Sequence, residues 1–118
     1  MRSTYFKEDE LACKCCGKLV ISDMLVDMLD SARTKAGIPF VITSGYRCES
    51  HNKEVGGSKS SSHLEGLAVD IGATNSVERG KILRALFMSG FSRVGIAKTF
   101  IHVDVDYTKV KPVTWMYS

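Results

Sequence analysis

Several things are scarce in this chain of 118 residues, and each scarcity removes a class of function. Long apolar runs are missing: stretches such as Gly37 to Ile42 hold only a handful of residues, whereas a membrane-spanning helix needs about 20. No membrane association is expected. Neither sign of charge dominates, since 16 Lys+Arg face 13 Asp+Glu and the net charge is +3, so the balance offers nothing to a nucleic-acid partner. The first ten residues lack the apolar segment of a signal peptide, because Lys7, Glu8, Asp9 and Glu10 stand in its place. Export by the general secretory route is not expected. What remains, with 44% apolar residues, is one ordinary globular domain over residues 1–118, with a cysteine-containing arm over about residues 1–20.

Cysteine is present but lacks the paired CxxC spacing of a zinc ribbon. Cys13, Cys15 and Cys16 crowd together and Cys48 stands alone, which leaves three readings: free or buried thiols, a disulfide from Cys48 to the cluster, or a second metal site. Adjacent Cys15 and Cys16 do not readily bridge each other. The cluster is expected to be structural, joining the amino-terminal arm to the loop after Arg47.

Periodicity gives the elements. Ser22 caps a helix over Asp23 to Ala36, with Met24, Leu25, Met28, Leu29, Ala32 and Ala36 on one face, and Gly37 and Pro39 end it. Phe40 to Thr43 reads as a strand, and Cys48 to Ser62 as a long polar loop with one helical turn. Leu67 to Ile71 is a strand, and Ser76 caps a second helix with Ile82, Leu83, Leu86 and Phe87 on its inner face. Ser92 to Ile96 and Phe100 to Val105 form a hairpin, and Val113 to Tyr117 adds an edge strand. This order predicts an α+β domain with a mostly antiparallel sheet and helices packed on one side.

Polar residues interrupt two of these strands. In Leu67 to Ile71, Asp70 projects from the face opposite Val69 and Ile71. In Phe100 to Asp106, the apolar Ile101, Val103 and Val105 alternate with His102, Asp104 and Asp106. Together with His63, at the end of the serine-rich loop, the chain offers two imidazoles and one carboxylate. Three such ligands leave the fourth corner of a tetrahedral zinc site for water. Taken alone, the two histidines fit ordinary polar residues as well.

The order of motifs narrows that choice. Ser61-Ser62-His63-Leu64-Glu65-Gly66-Leu67-Ala68-Val69-Asp70 resembles the SxHxxGxAxD motif of the zinc D-Ala-D-Ala carboxypeptidase and L-alanyl-D-glutamate endopeptidase family, whose fold is of the hedgehog/DD-peptidase type. Ser44-Gly45-Tyr46-Arg47 resembles that family's SGYR. His51-Asn52 and Val55-Gly56-Gly57 resemble its intervening loop, and His102-Val103-Asp104 its closing HxD.

The resemblance implies that His63, Asp70 and His102 bind Zn2+. It implies that Arg47 holds a substrate carbonyl or carboxylate and that Ser61 lies beside the metal and contacts substrate. The expected substrate is a peptidoglycan stem peptide, cut at D-Ala-D-Ala or L-Ala-D-Glu by a monomeric enzyme. Such an enzyme, made in the cytoplasm, would meet the wall after lysis, holin release or virion delivery, as a phage endolysin does. One departure stands out. Many relatives carry an acid or histidine just before the last zinc histidine, and here those positions read Ala97-Lys98-Thr99-Phe100-Ile101. Asp104 is the substitute for the general base or else a partner that fixes an imidazole, with Glu65, Asp106 and His51 behind it. The alternative to a peptidase is a zinc-containing muropeptide-binding module with little or no hydrolysis.

Overall fold

A strand that alternates apolar and polar residues settles with one face on a core and leaves the other for chemistry. Five strands build the sheet here, in the computed structural model of the chain, which describes residues 1–117. They are β1 (Ile42–Ser44), β2 (Ala68–Gly72), β3 (Arg93–Ile96), β4 (Phe100–Asp104) and β5 (Val113–Met116). The sheet order is β1-β2-β4-β3-β5, antiparallel at every pairing except the parallel β3-β5 edge. The architecture is α+β, as the pattern predicts.

Val69, Ile71, Val94, Ile101 and Val103 occupy the apolar face and are fully buried. Two helices, α2 (Asp23–Ala36) and α4 (Ser76–Met88), supply the rest of that core through Leu25, Val26, Leu29 and Ala32 and through Ile82, Ala85 and Leu86. The short helix α1 (Glu8–Leu11) brings Leu11 into the same core, so the amino-terminal arm is part of the packing. Among the described residues no helix is long and apolar enough to cross a membrane.

Three expectations need correction. The segment from Cys48 to Ser62 is not a loop with one turn: it contains helix α3 (Glu49–Glu54) and runs into a 3-10 turn over Ser62–Glu65. Helix α3 carries no ordinary cap signal in the sequence, because its capping side chain is the Cys48 sulphur, which accepts from the His51 N–H, rather than one of the usual oxygen caps. Helix α4 is capped by Asn75, whose side chain accepts from the Glu78 N–H at 2.9 Å, and Ser76 is its first residue. Met24 and Phe87, assigned to inner helix faces, are 57% and 46% exposed. Both lie near helix ends, where the periodicity continues but the partner element has turned away.

Candidate active site

Sheet register assembles the site. Ser44 pairs with Asp70, Asp70 with His102, His102 with Gly95, and Gly95 with Trp115, a single row that crosses all five strands on the polar face. Residues directly opposite one another in a sheet hold their Cβ atoms about 5 Å apart, so Asp70 and His102 must meet. His63 arrives from outside the sheet. Its 3-10 turn is capped by the Ser61 hydroxyl, which accepts from the His63 N–H at 3.2 Å. Behind the turn, the Ser62 hydroxyl donates to Asp106 at 2.7 Å. Gly66, in the left-handed region at φ 70°, then turns the chain into β2.

The hydrogen bonds fix which atoms face the centre. His63 Nδ1 lies 2.7 Å from the Gly45 carbonyl oxygen, which can only accept, so Nδ1 carries the proton and Nε2 offers a lone pair. His102 Nε2 lies 2.8 Å from Asp104 Oδ2, which leaves its Nδ1 as the inward atom. Both inward nitrogens approach one oxygen: His63 Nε2 is 3.2 Å and His102 Nδ1 3.0 Å from Asp70 Oδ1. Three lone-pair atoms that converge in a buried pocket repel unless a proton or cation lies between them. These three fit a zinc ion, and each imidazole has its outer nitrogen held, as ligand histidines require.

The carboxylates make the centre negative. Burial opposes ionisation of Asp70, but hydrogen bonds and charge from His102 and His63 hold its carboxyl well below the usual range. Burial also disfavours a charged His102, yet Asp104 and Asp70 together raise its pKa. The Asp104 carboxyl is held low against its burial by His102, the Asp106 N–H and Arg93. A site with this much negative character at its centre attracts a cation.

Arg47 faces the same centre. Its Nη2 is 3.3 Å from Asp70 Oδ2, its Nε donates to the Ser44 hydroxyl at 2.9 Å, and its Nη1 to Asn52 Oδ1 at 3.2 Å. Asn52, buried on α3, donates in turn to the Ser58 carbonyl. Arg47, Ser61, His63, Asp70, His102 and Asp104 all line one cleft of about 340 Å³. The weaker base candidates are elsewhere. Glu65 is exposed and lines other clefts, and His51 is absent from this one. Asp106 is buried and engaged by Ser62 and Thr108. Among the described residues, Asp70 and Asp104 are the only carboxylates that line the cleft.

Arg93, Trp115 and Tyr117 also line the site and have no part in the motifs. The Trp115 ring centroid is 5.3 Å from that of His102, and the Arg93 guanidinium sits 5.1 Å over Trp115 while its Nε donates to Asp104 at 2.7 Å. Gly95 makes room for this wall: a Cβ there would stand 2.6 Å from the Trp115 ring. Gly95→Ala is expected to overpack the site and cost about 1–3 kcal/mol of stability. Urea unfolding followed by fluorescence of Trp115, the chain's one tryptophan, measures both the loss and the changed environment. The edge strand over Val113 to Tyr117 was legible in the sequence, but the parallel pairing that sets Trp115 beside His102 was not.

A family model described as Peptidase M15 matches residues 4–104, a span that includes Arg47 and all three converging side chains. Comparison with curated proteins finds no match.

Proposed function

Since the chain belongs to the peptidase M15 family, we propose that it is a zinc-dependent peptidase that hydrolyses peptidoglycan stem peptides, of the D-Ala-D-Ala carboxypeptidase or L-Ala-D-Glu endopeptidase type. The observation that carries this reading is the convergence of His63 Nε2, Asp70 Oδ1 and His102 Nδ1 beside a tethered arginine. His63, Asp70 and His102 would hold the ion. When bound, zinc supplies a Lewis-acid pole and lowers the pKa of its water to about 7.

The protein's own residues do the rest. Arg47, held by Ser44 and Asn52, presents its planar fork to a substrate carboxylate or to the developing oxyanion. Ser61 offers a hydroxyl at the cleft edge, and Phe100, Trp115 and Tyr117 form an apolar wall that excludes water from the other side. A cleft with cations at one side and aromatic rings at the other suits a short peptide bearing free carboxylates. A phage endolysin, meeting the wall after lysis, holin release or virion delivery, is the setting this substrate fits.

Asp104 acts as a positioning residue rather than as the base in this reading. One of its oxygens accepts from His102 Nε2 and the other from Arg93 and the Asp106 N–H, so neither is free to take a proton. Asp104→Asn is expected to weaken zinc binding about 10–100-fold while most turnover returns at saturating zinc. A zinc titration of activity separates the two roles, because loss of a base lowers kcat at every zinc concentration.

The same crowded Asp104 favours a second reading, a zinc-containing muropeptide-binding module. Incubation of the zinc-loaded protein with purified peptidoglycan discriminates them. Chelator-sensitive release of free D-alanine or of new amino termini supports the peptidase and identifies the bond. Retention on peptidoglycan with no release from any wall type supports the binder.

A further inference from the structure

A cluster of four thiols lies outside the cleft, with Cys48 next to Arg47 in the chain. Cys13, Cys15, Cys16 and Cys48 bring four sulphurs within 4.8 Å of one another, from two segments 33 residues apart. The Cys13–Cys15 separation is 3.6 Å and the Cys15–Cys48 separation 3.3 Å. Four sulphurs at about 2.3 Å from a tetrahedral zinc ion lie about 3.8 Å apart, so small adjustments bring the cluster onto that geometry. A disulfide needs about 2.05 Å and would use only two of the four.

The backbone around the cluster is arranged for thiolates. The Cys13 N–H donates to the Lys18 carbonyl and the Gly17 N–H to the Cys13 carbonyl, both at 2.8 Å, which folds residues 13–18 into a tight knuckle. The Cys48 N–H donates to the Cys13 sulphur and the His51 N–H to the Cys48 sulphur, each at 3.4 Å. Donors aimed at sulphur and acceptors crowded on one point are what a metal thiolate site needs.

We propose that Cys13, Cys15, Cys16 and Cys48 bind a second zinc ion in a closed, four-sulphur structural site. Each thiol gives up its proton to the solvent on binding, and with four protein ligands no position is left for water or substrate. The ion links the amino-terminal arm to Cys48, the neighbour of Arg47 and the cap of α3, which carries Asn52. It therefore sets the backbone on which the Arg47 tethers are built. The Tyr46 N–H bond to the Leu11 carbonyl, at 2.9 Å, lies beside this link. The site does not depend on the peptidase reading, because its ligands are different residues and its readout is spectroscopic.

The full chain, purified with reducing agent and loaded with zinc or with cobalt(II), provides the test. The expected content is two metal ions per chain, with a strong sulphur-to-cobalt charge-transfer band and tetrahedral d–d absorption. The H63A/H102A double variant should keep one ion and the whole charge-transfer band, and C15S/C16S should lose that band. If the cysteine variant fails to fold, the parent and the histidine variant still decide. A histidine variant without metal, cobalt without a sulphur band, or a metal-free Cys15–Cys48 disulfide under reducing conditions would overturn the proposal.

Discussion

His63→Ala is expected to abolish hydrolysis, a fall on the order of 10³-fold or more, with the fold retained. The imidazole is one of three groups that would hold the ion, and Asp70 and His102 alone leave two positions to solvent in place of one. The remaining pair sits in adjacent strands and stays in place, because β2-β4 pairing rather than the ligand fixes it. The main structural cost is the unpaired Gly45 carbonyl, about 1–3 kcal/mol, which a domain of this size tolerates. Release of amino termini or of D-alanine measures the first effect, and circular dichroism the second. Turnover within tenfold of the parent would remove His63 from the metal site and with it the proposed chemistry.

Arg47→Ala is expected to lower kcat by about 10²–10³-fold, the effect of removing one preorganised donor from a developing oxyanion. Substrate binding should weaken as well if Arg47 also holds a terminal carboxylate. Arg47→Lys is not expected to restore the rate. A lysine has one ammonium on a flexible stem, whereas Arg47 divides three contacts among Ser44, Asn52 and Asp70 and so keeps its fork fixed. Zinc content should stay near that of the parent, since Arg47 is not a ligand. Steady-state kinetics with a synthetic stem peptide, beside metal analysis of each variant, separate loss of chemistry from loss of the ion. A lysine variant as fast as the parent would assign Arg47 a purely electrostatic role.

How far the site was legible depends on the type of information. Alternation in Phe100 to Asp104 placed His102 and Asp104 opposite Ile101 and Val103, and the sheet keeps that partition. The motif order likewise gathered His63, Asp70, His102, Arg47 and Ser61, which share one cleft. The division of labour between Asp104 and a base was not legible. Two residues along a strand are about 7 Å apart by backbone, and only the rotamers decide whether Asp104 points to the cleft or to His102 Nε2 and Arg93. Trp115 and Tyr117 were seen as an edge strand with no role, because long-range pairing has no local signal.

By itself the sequence determined the helices α2 and α4, the strand periodicity, the α+β class and the set of side chains capable of holding a metal. The elements follow from local propensity and burial pattern, which act over a few residues, and the set of metal-holding side chains from the resemblance carried by the motif order. The tertiary structure alone decided that Asp70, His102, Gly95 and Trp115 form one row, that both imidazoles turn a lone pair toward Asp70, and that Cys48 meets three cysteines 32 to 35 positions away. Such convergence is set by the register between strands and by packing of distant segments, and no short-range pattern encodes either one.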